Sequence, residues 1–69
     1  MNEIAFRKAI EQTDTFKSFP IFKQGLTVKY KNIVRLFDYY QQAKRYGIDY
    51  LKQNQQIFAT DVAMIEEIL

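Results

Sequence analysis

Apolar residues recur three and four positions apart along most of this 69-residue chain, and that spacing is typical of helices that bury one face. Near the start, Asn2 can cap a helix whose first turn holds Glu3, a negative charge at the positive end of the helix. The helix should stop at the Thr-Asp-Thr run of residues 13–15, because these side chains compete for backbone hydrogen bonds. We predict a first helix over about residues 3–14.

The longest predicted helix occupies the middle of the chain. Thr27 can cap it, and Gly47 stands where a residue of positive φ commonly ends a helix, with Ile48 as the apolar contact that follows. Its apolar side chains spread over an arc of about 240°, so other helices must pack around it. We predict that this helix runs over about residues 28–46 and forms the centre of the fold.

Three shorter helices follow from the same rules of capping and spacing, over about residues 18–26 capped by Ser18, 50–57 capped by Asp49, and 60–69 capped by Thr60. Neither a strand-like alternation nor an Asn-Gly turn is present. The predicted fold is therefore all-α, a small orthogonal or bundle-like array of three to five helices around the long central helix. Residues 1–69 form a single domain in this prediction, because the chain is shorter than most domains.

Composition narrows the class of function. The chain has six Phe and five Tyr but no Cys and no His, which predicts an aromatic core without a disulfide, a cofactor or a metal site. A core this small supplies only about 3–5 kcal/mol, so self-association would be a useful source of further stability. The lack of Cys, of a signal-peptide core and of a membrane-spanning run favours a soluble, cytoplasmic protein with no membrane partner.

Catalysis has little support in the sequence. Without His or Cys, acid-base chemistry would fall to Asp, Glu, Lys or Tyr. Glu66 and Glu67 are neighbours on a predicted helix and point about 100° apart, so they do not form a convergent pair. The two glycines, Gly25 and Gly47, are isolated and each marks a helix end, so no phosphate-binding loop is present. We therefore predict a non-enzymatic protein without a small-molecule substrate.

The net charge of +2 conceals a segregation of charge along the chain. Residues 15–60 carry eight Lys and Arg against two acids, whereas residues 61–69 carry three acids and no base. One interpretation is that the basic segment has an anionic partner. The other, which we favour, is that the two segments attract each other within one fold or across a dimer.

Ala43, Gly47 and Ile48 have the spacing of the turn in a DNA-reading helix-turn-helix. The second helix of that motif should return apolar side chains to the first, but the expected inward positions are Gln53 and Gln56, and each buried, unpaired amide would cost about 1–3 kcal/mol. If these glutamines face outward instead, they are free to pair with adenine. DNA binding by a helix-turn-helix-like regulator is therefore the alternative function. The basic residues that would carry it are Lys31, Arg35, Lys44, Arg45 and Lys52.

Protein contact is the function that we predict first. The last helix ends on Ile68 and Leu69, with Met64 beside them, and these apolar side chains need cover from the monomer itself, from a second copy or from another protein. Phe19 and Phe22 form a second apolar cluster, either the plug of the core or an exposed patch. We predict a small intracellular binding or regulatory protein that acts through protein contacts, as a homodimer or with another protein, with these five residues as its contact site.

Overall fold

The computed structural model describes residues 1–18 and 30–69 of the chain, with side chains from residue 33 onward in the second range. These residues form five helices and no strand. The helices are α1 (Glu3–Glu11), α2 (Asp14–Ser18), α3 (Tyr30–Tyr46), α4 (Ile48–Asn54) and α5 (Ala59–Ile68). The predicted all-α array around a long central helix is confirmed, since α3 packs against α1, α4 and α5.

The predicted first helix corresponds to α1, and the short helix α2 that follows it was not predicted. Asn2 caps α1 as predicted, because its side-chain oxygen accepts a hydrogen bond from the Ala5 N–H at 2.8 Å. The buried Thr13 separates α1 from α2, since its hydroxyl donates to the Ile10 carbonyl at 2.7 Å and accepts from the Phe16 N–H at 3.2 Å. The prediction of a stop near this residue is confirmed, but the same hydroxyl also starts α2 as its N-cap.

Gly47 alone connects α3 to α4. Its N–H donates to the Ala43 carbonyl at 2.8 Å, and its φ of +94° with a ψ of 157° is a conformation that only glycine adopts readily. Gly47 ends α3, as predicted. Its ψ, however, is extended and differs from the ψ of the left-handed helical conformation that was predicted. Because α4 begins at once with Ile48, the predicted cap Asp49 lies inside its first turn, and no side chain caps α4. The prediction of that cap was wrong.

The boundaries of the last two helices also differ from the prediction. α4 ends at Asn54 instead of about residue 57, and α5 begins at Ala59. Thr60, predicted as the cap of the last helix, therefore lies inside α5, so this cap was also placed wrongly. Asp61 does occupy the first turn of α5, where a negative charge is favourable.

Residues from all five helices meet in one core. They are Phe6, Ile10, Phe16, Ile33, Leu36, Tyr40, Ala43, Leu51, Met64 and Ile65. The Phe6 ring centroid lies 5.2 Å from that of Phe37 and 5.1 Å from that of Tyr40, and aromatic pairs at such distances add about 0.5–1.5 kcal/mol beyond their burial. The predicted aromatic contribution to the core is confirmed for the described part of the chain.

One carboxylate holds α2 to α5. Glu67 Oε1 accepts from the Asp14 N–H at 2.6 Å, and Oε2 accepts from the Thr15 N–H at 3.1 Å and from the Thr15 hydroxyl at 2.5 Å. The Thr15 hydroxyl is the main reason that the pKa of Glu67 lies below its usual value, and the two N–H groups add to this effect. The N–H groups at the start of α2 therefore donate to side chains from two places, the N-cap Thr13 and Glu67 of α5.

The short helix predicted over about residues 18–26 lies outside the described residues, except for its first position. Ser18 ends α2, and its hydroxyl donates to the Asp14 carbonyl at 2.7 Å. The Ser18 hydroxyl is therefore hydrogen-bonded within α2. The predicted cap of the central helix, Thr27, also lies outside the described residues.

Candidate functional site

The start of α5 differs chemically from the start of α1. The residue at the N-cap position of α5 is Phe58, whose φ of −70° and ψ of 146° are extended, like the φ of −91° and ψ of 175° at Asn2. The backbone thus has the form that a capping Ser, Asp or Asn uses, yet no side chain caps α5. A capping residue here would stabilise the helix by about 1 kcal/mol, so Phe58 is not the residue that stability would select.

The Phe58 ring lies largely in solvent. It is 76% exposed, the highest value among the large apolar side chains of the described residues, and it is not part of the core. The preceding residue, Ile57, packs against the core and lines the same depression as the buried Val62. An apolar pair at these two positions fixes the direction in which the chain enters a helix. Ile57 therefore anchors the connection into α5, while the ring beside it remains uncovered.

Two shallow depressions flank Ile57. One is lined by Arg35, Gln56, Ile57 and Phe58, and the other by Lys52, Gln55, Ile57, Ala59, Val62 and Glu66. We call the two depressions, together with the Phe58 ring, the Phe58 surface. Its lining combines apolar side chains with polar and charged ones, a mixture that protein contact sites also have.

Charges of both signs surround the Phe58 surface. Arg35, Lys52 and Glu66 are exposed, and Asp61 is half-buried in the first turn of α5. Burial raises the pKa of Asp61 above its usual value, and the nearby Arg35 guanidinium partly opposes that rise. The surface is therefore balanced in charge, although it lies largely in the basic segment of the sequence.

The predicted protein-contact residues lie in three different settings. Met64 is fully buried in the core, so its adaptable side chain fills the interior and does not reach the surface. Ile68 is half-buried and packs against the same core, whereas Leu69 is 53% exposed. Phe19 and Phe22 lie outside the described residues. The apolar face of the last helix is thus covered mainly from within the monomer.

Two of the basic residues predicted for nucleic-acid binding, Lys44 and Arg45, are neighbours on α3. Lys44 Nζ lies 5.6 Å from the Tyr40 ring centroid, and the Arg45 guanidinium lies 6.0 Å from the Tyr46 ring centroid. Neighbouring residues point about 100° apart on a helix, so these two side chains lie beside different rings. Each cation is within reach of a cation–π contact in its own surroundings.

The remaining members of the basic set are also apart. Arg35 and Lys52 line different depressions of the Phe58 surface. Lys31 lies in α3, but its side chain is outside the part of the chain that the structure describes. The four basic side chains that can be placed therefore lie in different surroundings.

The junction of α3 and α4 carries a pair of exposed tyrosines. The ring centroids of Tyr46 and Tyr50 lie 4.8 Å apart with the planes at 40°, and the two side chains are 57% and 37% exposed.

Gln53 and Gln56 both face solvent, while Leu51 is the fully buried residue of α4. The glutamines therefore avoid the cost of burial that weighed against the helix-turn-helix comparison.

The sequence patterns missed Phe58 and Ile57. They were placed between the predicted end of one helix near residue 57 and the predicted cap Thr60, so neither was given a contact. The available signal was the presence of two consecutive large apolar residues just before a helix, where the staple contact needs only one. The second of the two has no place in the core.

Comparison with known proteins supplies no functional information, so the function is inferred from the geometry. Comparison of the chain with protein-family models, with curated proteins and with solved structures finds no match. Among the described residues, no three His, Cys, Asp or Glu side chains form a group that could hold a metal ion. Within the same part of the chain, no helix combines the length and the apolar character needed to cross a membrane.

Proposed function

We propose that this chain is a small non-enzymatic protein that binds another protein chain through the Phe58 surface. The observation that supports this function is the Phe58 ring, 76% exposed at the N-cap of a helix. A polar residue at that position would stabilise α5 by about 1 kcal/mol, and a ring in water adds no packing energy. A departure from local stability rules that gives the monomer nothing in return is expected at a functional site.

The composition of the surface supports a protein partner. Its aliphatic lining residues Ile57, Ala59 and Val62 can contact an apolar side chain, and Phe and Arg are among the residues enriched at protein interfaces. Phosphate recognition would instead need several cations along one track. Lys44 and Arg45 lie beside different tyrosine rings, and Arg35 and Lys52 line different depressions, so DNA binding has less support. A regulatory role in the cytoplasm is part of the proposal, since a cysteine-free chain suits a reducing compartment.

Site-specific photo-crosslinking in the cells that make the protein tests this proposal. A photoreactive phenylalanine analogue at position 58 keeps an aromatic ring on the surface, and irradiation should link it to another protein chain. The same analogue at Gln53 is the matched control, because that residue is exposed on α4 but does not line the Phe58 surface.

A protein product that depends on position 58 is the expected result. Equal products from positions 58 and 53, or no product from either position, would contradict the proposal. So would a product at position 58 that a nuclease removes, because the contact would then be with nucleic acid.

A further inference from the structure

We propose that Glu67 is an acid-sensitive switch that holds α2 on α5, and that its protonation releases α2 while the other helices stay folded together. The switch consists of the three hydrogen bonds that the Glu67 carboxylate accepts from Asp14 and Thr15, which we call the Glu67 contact. It is independent of the Phe58 surface, because neither depression of that surface is lined by Glu67 or by a residue of α2.

α2 is too short to be a stable helix by itself. It has five residues, whereas an isolated helix of fewer than about 12–15 residues is marginal in water. It packs mainly against α5 and also against α1, and its buried residue is Phe16. The position of α2 therefore depends on its contacts with other helices, and the Glu67 contact joins it directly to α5.

The Glu67 contact uses both oxygens of an ionised carboxylate as acceptors. Oε1 accepts from the Asp14 N–H, while Oε2 accepts from the N–H and the hydroxyl of Thr15. A proton on either oxygen turns that oxygen into a donor, which then faces the N–H of α2, also a donor. Hydrogen bonds to an ionised acceptor are also about twice as strong as neutral ones. Protonation of Glu67 therefore removes at least one of the three bonds and weakens the others.

The surroundings of Glu67 contain few other charges. Its side chain is exposed, so water supplies the proton directly. The depression that it lines also contains Asp14 of α2 and Met1, which carries the α-ammonium group, and the described charged side chains of α1 and α3 do not line it. On α5 itself, the neighbouring Glu66 lines a depression of the Phe58 surface instead. Asp14 is therefore the other carboxyl group whose protonation must be separated from that of Glu67.

The direction of the pH dependence follows from the same three bonds. The Thr15 hydroxyl first, and then the two N–H groups, lower the pKa of Glu67 below its usual 4.5 while α2 is docked. The ionised form of Glu67 therefore favours docking, which keeps its full strength above that usual value. As the pH falls from there to the lower pKa of the docked state, docking weakens by up to about tenfold for each pH unit.

An NMR titration of the wild-type chain from about pH 7 to about pH 3 tests the switch. The ¹³Cδ shift of Glu67 reports its protonation, and the ¹³Cα shifts report the helical content of each segment. The shifts of Asp14–Ser18 should move toward coil values together with the protonation of Glu67, at a pH below its usual pKa of 4.5. Those of α1 and α3 should stay helical over the same range.

Two variants separate the carboxyl groups. Glu67→Gln keeps the size of the side chain but replaces one acceptor oxygen with an NH₂ donor. Its α2 shifts at neutral pH should already be those that the wild type reaches in acid, and they should no longer change with pH. Asp14→Asn is the matched control, because it keeps both the backbone N–H of residue 14 and the Glu67 carboxylate. It should show the same release of α2 as the wild type.

Four results would overturn the inference. One is an α2 that stays helical after Glu67 has become protonated, and another is a loss of helix in α1, α2 and α3 at a single midpoint. The third is an acid transition of α2 that persists in Glu67→Gln, and the fourth is a transition that disappears in Asp14→Asn. The first two results come from the wild-type chain alone, so they do not depend on the folding of a variant.

Discussion

α1 and α5 begin with similar backbone geometry and opposite side chains. At the start of α1, Asn2 accepts a hydrogen bond from the Ala5 N–H and caps the helix. At the start of α5, Phe58 has a comparable extended backbone, no capping hydrogen bond and a ring in solvent. Since the backbone would allow a polar cap at both places, the fold does not impose the difference. The start of α1 stabilises the monomer, and the start of α5 presents a ring that the monomer does not use.

The starts of α2 and α4 differ from both. Thr13 caps α2 from a buried position, and Gly47 lets the chain pass from α3 directly into α4. Substitution at these positions should separate the helix starts that stabilise the fold from the one that presents a contact. The free energy of unfolding is the common measure.

Gly47→Ala should have the largest effect on stability. A residue with a side chain is strained at a φ of +94° and a ψ of 157°, and we expect the free energy of unfolding to fall by about 1–3 kcal/mol. A Cβ at this position would meet nothing within 4 Å, so the loss would be conformational and not steric. Urea denaturation measures it, with Gln41→Ala on the exposed face of α3 as the control. An unchanged midpoint for Gly47→Ala would show that the junction relaxes freely.

Thr13→Ala should cause the next largest loss of stability. It removes the N-cap of α2 and with it the hydrogen bond that the hydroxyl accepts from the Phe16 N–H, so we expect a loss of about 1–2 kcal/mol. Thr13→Ser is the matched control, because it keeps the hydroxyl. If the Ser and Ala variants unfold at the same urea concentration, the hydroxyl has no capping role and the methyl group accounts for the loss.

Asn2→Ala should cost about 1 kcal/mol, the usual value of an N-cap. Asn2→Asp keeps the acceptor and adds a charge that favours the start of a helix, so it should recover the loss. Thermal unfolding followed by circular dichroism is sufficient to rank the three proteins. An Ala variant as stable as the wild type would mean that the capped start of α1 frays without consequence.

Glu67→Gln should have the smallest effect, and one that depends on pH. Because hydrogen bonds lower the pKa of Glu67 below its usual 4.5, the folded state favours the ionised form, and the resulting stability is present above that value. It is lost as the pH falls through the lower pKa of the folded state. The difference in unfolding free energy between wild type and variant should therefore close in acid. A difference that stays constant from about pH 7 to pH 3 would contradict the role of Glu67.

The elements with a buried face were predictable from the sequence, and their ends were less so. Periodic apolar residues identify α1, α3 and α5 because each must bury one side of a helix. The caps at Asp49 and Thr60 were wrong because a capping residue type was present near each boundary, whereas the real starts follow Gly47 and Phe58. At these positions the path of the chain between packed helices determines where each helix begins, and the local preference of residue types for the N-cap does not.

The candidate site was harder to predict because exposure depends on how the helices pack. Met64 and Leu69 looked equivalent at the end of an apolar helix, yet the first is fully buried and the second is 53% exposed. Phe58 was given no contact by the sequence patterns. Its exposure follows from the half-buried Ile57 beside it, which takes the inward position at the start of α5.

The most direct test of the account is the unfolding free energy of Phe58→Asn, compared with that of the wild type at the same low protein concentration. An Asn at this position can accept from a first-turn N–H of α5, as Asn2 does in α1. We expect the variant to be more stable than the wild type by about 0.5–1 kcal/mol. A loss of about 1 kcal/mol or more would contradict the account, because the ring would then support the monomer and not a contact.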